Sequence, residues 1–217
     1  MSRSRLLVLA AAAMLLAGLV YLSAEVVVAS AWTNPPYDWA NNLVPDLGNT
    51  ACGPYQDRVV CSPRNGLMNA GFVAQGVLFG LAAIALARLV AGWARGALVA
   101  LGLAHAAGLT LVAIFHQSPT AAQDGTLIPN FAGAGVAILA GNAILIVAGA
   151  QWGALRLPRW FGRASVALGS VAIVAGVLLF VLNIAPPGVR ERASIYPFIA
   201  WQIVSSPILL RASGRPS

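Results

Sequence analysis

Six apolar runs, each near the length of a bilayer crossing, decide what this chain can fold into. They cover approximately residues 6–28, 67–90, 97–115, 131–149, 165–184 and 195–210. A helix needs about 20 such residues to span the hydrocarbon layer. The sixth run is shorter and carries Pro197 and Pro207, which leaves its ends open. Only 9% of the 217 residues are charged, against roughly a quarter in a soluble domain. A mean hydropathy of +0.80 agrees. In lipid every backbone polar group needs an internal partner, and helices supply it. The expected fold is therefore all-α: a polytopic bundle of six transmembrane spans, forming a single integral membrane domain over residues 1–217.

The connections carry the charge, and they carry it unevenly. All 13 basic residues are arginine. Arg3, Arg5, Arg88, Arg95, Arg156, Arg159, Arg163, Arg211 and Arg215 fall on one side, without an acid. The other side carries Arg58, Arg64, Arg190 and Arg192 with all six acids: Glu25, Asp38, Asp46, Asp57, Asp124 and Glu191. The positive-inside rule then places both termini in the cytoplasm of a plasma-membrane protein. Trp93, Trp152 and Trp160 at inner ends, with Trp32 and Trp39 at the outer end, fit interfacial aromatic belts. The arginines are scattered among apolar runs without interleaved stacking aromatics, so nucleic acid is not an expected partner. Membrane lipids are, and nothing in the chain specifies a protein partner. The opening Met1–Arg5 and the small residues Ala29, Ser30 and Ala31 resemble a cleavable signal. The first apolar run, however, exceeds the usual core of about 7–15 residues, and a retained first helix is expected.

Residues 41–69 form the one polar stretch between long apolar runs, and the external loop over residues 29–62 is expected to cap the bundle. Long connections of this kind tend to carry function. Cys52 and Cys61, with eight residues between them, read as a disulfide in an oxidising compartment. A loop this short is worth under about 3 kcal/mol. A metal or redox pair is the weaker alternative, because CxxC spacing is absent and no histidine lies in the loop. No metal and no cofactor are expected. Ser62 and Pro63 read as a helix start, with serine capping and proline in the first turn. Asp46, followed by Leu47, Gly48 and Asn49, reads either as a turn, with glycine supplying positive φ, or as a carboxylate held over the bundle mouth.

His105 and His116 both lie on the third run. Eleven residues apart, they share a helix face but stand roughly 16 Å from one another, too far for one metal ion. His105 is either a functional intramembrane group or a neutral histidine bonded to a neighbouring helix. His116, at the outer end, lies on the side of Asp46, and the two could form an acid–base couple. Gln75, His105, Asn142 and Gln202 fall at similar depth, roughly 12–18 Å from a membrane face. They read either as interhelical hydrogen bonds or as a polar cavity reaching down from the loop. Arg190, Glu191 and Arg192 follow Pro186, Pro187 and Gly188. They read as a solvated turn, as a phosphate-binding pair of arginines, or as a Glu191 pairing with Arg58 or Arg64. Glu25 is a further buried-acid candidate.

No P-loop, GxSxG, HExxH or Rossmann pattern occurs, nor does a voltage-sensor or selectivity-filter signature. In combination, Pro45-Asp46-Leu47-Gly48-Asn49-Thr50, Cys61-Ser62-Pro63, Leu67-Met68-Asn69, Gly141-Asn142, Arg190-Glu191-Arg192 and Trp201 resemble the membrane family known as domain of unknown function 998. The resemblance covers nearly the whole chain. It implies six helices and brings no biochemical activity with it. Members often carry a histidine at the start of the fourth helix, where this chain has Asn130.

The candidate polar site comprises Asp46, Asn49, Asn69, His116, Asn142, Glu191 and Arg192. Its expected use is to bind or transport a lipid or small molecule through an outward-facing polar cavity. An intramembrane hydrolase with Asp46 and His116 as acid–base residues is one alternative. A structural or accessory membrane subunit is the other.

Overall fold

A computed structural model describes residues 1–214 of the chain. Arg215, counted above among the arginines of one side, lies outside them. Six helices are long and apolar enough to cross a membrane: α1 (Arg3–Ala29), α2 (Asn65–Ala87), α3 (Trp93–Ile114), α5 (Leu127–Ala150), α6 (Arg159–Leu182) and α7 (Pro187–Ser213). A one-turn α4 (Ala121–Asp124) interrupts the connection before α5. Each long helix packs on the next in sequence, and α7 returns to pack on α1, so the six close into a ring, with α7 also touching α5.

Small residues let the helices approach this closely. A Cβ on Gly108 of α3 would stand 2.6 Å from the carbonyl oxygen of Gly133 in α5, and one on Gly133 would stand 2.6 Å from that of Gly108. Dispersion between backbones drives such packing where lipid removes the hydrophobic difference between inside and outside. Two residues further along α5, a Cβ on Gly135 would meet nothing within 4 Å.

The sixth span departs from the sequence reading. It runs over 27 residues, with Pro197 and Pro207 inside it. Pro186, Pro187 and Gly188 do not make an external turn. Pro186 is the N-cap and Pro187 the first helical residue, a position where proline's missing N–H costs nothing. Arg190, Glu191 and Arg192 thus ride in the opening turns of a helix, with Glu191 and Arg192 buried.

Between α1 and α2 the chain folds into a cap set into the mouth of the ring. It contains a 3-10 turn (Val44–Gly48) and an antiparallel hairpin of β1 (Gly53–Tyr55) and β2 (Arg58–Val60), in which Gly53 pairs with Val60. The Cys52–Cys61 disulfide closes the open end of that hairpin. Val44, Leu47 and Val60 are buried beneath it, each worth about 1.5–3 kcal/mol.

Three local readings need correction. Ser62 does not cap α2. Its hydroxyl donates to Leu47 O at 2.6 Å, and α2 begins at Asn65 behind Arg64. Gly48 has no positive φ; glycine is required there because the Asn69 side chain of α2 occupies the space a Cβ would take. Trp32 is not part of a belt. It is 4% exposed and packs edge-on against Tyr37, with 5.2 Å between ring centroids.

Gly133→Leu is expected to destabilise the protein by about 1–3 kcal/mol through forced separation of α3 and α5, whereas Gly135→Leu is expected to leave stability unchanged. Thermal unfolding of the two variants in the same detergent compares them directly, and equal midpoints would contradict the packing described.

Candidate functional site

Asp46, at the centre of the 3-10 turn, is fully buried. Its Oδ2 accepts from Leu43 N–H at 2.9 Å and from Asn42 Nδ2 at 3.3 Å. The Arg58 guanidinium of β2 grips it with both prongs, Nε to Oδ2 at 2.7 Å and Nη2 to Oδ1 at 2.8 Å. Such fork-on-fork pairs are among the stronger hydrogen bonds in proteins. Burial pulls the Arg58 guanidinium down, but the Asp46 hydrogen bonds and charge outweigh that and hold it above its ordinary value. Asp46 is therefore both the turn residue and the buried carboxylate of the two sequence readings, and its partner belongs to the disulfide-bound hairpin.

A second ion pair lies nearby. Arg192 Nε donates to Glu25 Oε1 of α1 at 2.9 Å. Its Nη1 donates to the carbonyls of Trp39, Asn42 and Gly188, at 3.0, 3.1 and 3.2 Å. Its Nη2 donates to the Tyr37 hydroxyl at 2.6 Å, and Tyr37 passes a bond on to Leu43 O at 2.9 Å. The Tyr196 hydroxyl donates to both Glu25 oxygens at 3.2 Å. Burial pushes the Tyr37 phenol well up, and Arg192 only partly opposes it. Glu191, beside Arg192, pairs with neither Arg58 nor Arg64. Its Oε2 accepts from Val44 N–H at 2.6 Å.

The other acids stay local. Asp38 accepts from Ala40 N–H and from the backbone and side chain of Asn41. Asp124 accepts from Thr126. These bonds, to the Asn41 side chain and to Thr126 first, hold both carboxyls below the usual range.

His116 stands just beyond α3. Asn69 Nδ2 lies 3.2 Å from its Nε2 and 2.9 Å from Gly48 O. Among the described residues no hydrogen bond joins Asp46 to His116, and each has other partners. Asn49 donates to the Gln117 carbonyl. Asn130 donates to Phe115 O at 2.5 Å and accepts from Gln117 Nε2 at 2.9 Å, so it braces the end of α3. Among the described residues no three His, Cys, Asp or Glu side chains gather as metal ligands.

Asn142 is separate from the cap. Its Nδ2 donates to Ile138 O at 3.0 Å and to Ser194 O at 2.8 Å, linking α5 to α7. The deeper polar layer is a helix-to-helix network. His105 Nδ1 lies 2.7 Å from Ala137 O and Nε2 lies 2.9 Å from Gln75 Oε1, while Gln75 Nε2 reaches Gln202 Oε1 at 3.4 Å. Turning both amides end for end would offer the Gln75 nitrogen to Nε2, so a neutral imidazole satisfies both sides.

A cleft of about 380 Å³ opens between α5 and α6 below the cap. Its walls are apolar, and its polar lining is Gln117, Glu191 and Ser194. Phe131, Leu139, Val177 and Val181 line it and are also exposed on the apolar outer surface, so it opens sideways. Of the candidate polar residues, Glu191 lines this cleft; Asp46, Asn49, Asn69, His116, Asn142 and Arg192 do not. Tyr37, Asn42 and Gln117 were not singled out from sequence. Nothing in their spacing marks them, because their partners are the carbonyls and side chains of a folded cap.

These features define a multi-pass membrane protein whose helical ring is closed at one end by a disulfide-tied cap resting on buried ion pairs. The chain belongs to the family described as protein of unknown function (DUF998), whose profile matches residues 15–206. No curated protein and no solved structure matches it.

Arg192→Ala, which strands Glu25 in the interior, is expected to cost about 3–5 kcal/mol, and the double variant Glu25→Gln, Arg192→Met to regain much of that loss. Additive losses in a thermal-unfolding cycle would sink the pairing. Tyr37 and Tyr55 are both held above the ordinary phenol value of 10.0, chiefly by burial. A raised folded pKa means that the folded state holds its proton where the unfolded state has lost it. Stability from these groups is thus complete below pH 10 and falls as pH rises beyond it. The unfolding midpoint measured from pH 8 to 11 is expected to decline on the alkaline side, less steeply in Tyr55→Phe.

Proposed function

We propose that this protein binds a lipid or lipid-like amphiphile, which enters the cleft between α5 and α6 sideways from the membrane. The cleft carries the reading: apolar walls from two helices, an opening on the lipid-facing surface, and a few polar groups at the inner end. Its volume of about 380 Å³ falls in the range of roughly 300–1,000 Å³ of small-molecule sites, which are likewise mostly apolar with few polar groups. A chain leaving lipid for an apolar wall gains little from the hydrophobic effect. Selectivity therefore falls to Gln117, Glu191 and Ser194. Binding is favoured over acid–base catalysis because Asp46 is held by Arg58 and His116 is bonded to Asn69.

In the same reading both termini face the cytoplasm and the cap lies on the outer side of the plasma membrane, which puts the cleft in the outer leaflet. The sided distribution of arginine supports this. So does the Cys52–Cys61 disulfide, which persists in an oxidising compartment.

Gly135 lines the cleft and has open space where a side chain would project. Gly135→Leu is expected to fill the cleft and remove co-purified amphiphile detected by native mass spectrometry. Equal retention by wild type and variant would end the cleft reading. A C-terminal tag is expected to react with antibody only after cells are permeabilised. Reaction in intact cells would reverse the orientation.

A further inference from the structure

Charge accounting within the cap narrows the ligand. Three buried carboxylates meet there: Glu25, Asp46 and Glu191. Two are matched, Asp46 by Arg58 at 2.7 Å and Glu25 by Arg192 at 2.9 Å. Among the described residues no arginine lies within ion-pair distance of Glu191. Its bond is to one neutral donor, Val44 N–H at 2.6 Å. Arg192 is its neighbour in sequence but turns its fork toward Glu25, Tyr37 and the cap carbonyls. The unmatched carboxylate is the one that lines the cleft, at 5% exposure.

Among the described residues no basic side chain lines the cleft. A phosphate or sulfate brought to its inner end would meet a carboxylate and no cation. A neutral head group would leave Glu191 with no ion-pair partner among the described residues, and a charge there is costly in a low-dielectric wall. An ammonium answers both problems. We infer that the cleft selects an amphiphile with a positively charged ammonium head, with Glu191 serving as its counter-ion. This deepens the amphiphile-binding reading above and rests on it.

The test uses full-length protein in vesicles of digalactosyldiacylglycerol, which carries neither ammonium nor phosphate. Three photoreactive dodecyl probes differ only in the head: trimethylammonium, hydroxyl or sulfate. Labelling of α5 and α6 is mapped by mass spectrometry and normalised to labelling of bulk lipid. The ammonium probe is expected to label cleft residues at least about tenfold more than the hydroxyl probe, equivalent to 1.4 kcal/mol, and the sulfate probe least. Glu191→Gln is expected to bring the ammonium probe down to the level of the hydroxyl probe. If Glu191→Gln does not insert, the comparison of the three heads on the unaltered protein decides the assignment. Equal labelling by all three heads, or a sulfate preference, overturns the ammonium assignment and leaves the cleft reading standing, provided that Gly135→Leu still abolishes labelling. Cleft labelling that is absent with every probe, or indifferent to Gly135→Leu, overturns both.

Discussion

The Arg192 guanidinium sits where α1, α7 and the cap meet, and its three nitrogens bond to all three: Glu25 on α1, Gly188 on its own helix, and Tyr37, Trp39 and Asn42 in the cap. A guanidinium buried to this extent depends on protein partners, so every missing one is costly. The ring of helices closes between α1 and α7, and this ion pair fastens that seam at its capped end. The Asp46–Arg58 fork does the equivalent for the hairpin, fixing it to the 3-10 turn. Buried ion pairs often add little net stability compared with apolar residues of the same shape, but breaking one is expensive. Their contribution here is geometric: they specify one seating of the cap over the ring.

Two polar layers follow from this architecture, and they differ in kind. The deep one, joining Gln75, His105 and Gln202, ties α2, α3 and α7 in the centre of the ring. Phe79 and Phe198 stand edge-on to the His105 imidazole at 5.1 and 5.4 Å. Its hydrogen bonds run from helix to helix, and Gln202 Nε2 has no partner among the described residues. The shallow layer ends in Glu191, which among the described residues has no arginine within ion-pair distance and stands at the edge of a cleft. A shared depth in the sequence had grouped His105 with Asn142, yet the structure gives Asn142 to the α5–α7 contact instead.

Much of this was legible in the chain. Apolar runs of membrane length mark all six spans, because their signal is local and long. Cys52 and Cys61 announce their bond by lying close together on the acid-bearing side. Asp46, Glu25 and Glu191 were recognisable as acids near the cap. Their partners were not, since Arg58 reaches Asp46 across a hairpin and Arg192 reaches Glu25 across the whole chain. Pro186-Pro187-Gly188 carried a misleading local signal: the same residues that make a turn also open a helix. Gly48 likewise looked like a turn residue until the Asn69 side chain was seen against it. The cleft had no signature at all, because it is the space that α5 and α6 leave between them, visible only once Gly135 and Gly176 are placed in three dimensions.

The separation of Glu25 and Arg192 by 167 residues also sets an order of events during biosynthesis. At about 5–20 residues per second, Glu25 leaves the ribosome on the order of ten seconds or more before its counter-charge exists. Through that interval the first helix carries an acid without its permanent mate, and the cap has only the hairpin half of its anchorage. Emergence of α7 supplies the missing cation and completes the ring together. Helix α7 is therefore the one that certifies α1, and a chain that stops short of it leaves Glu25 without its arginine.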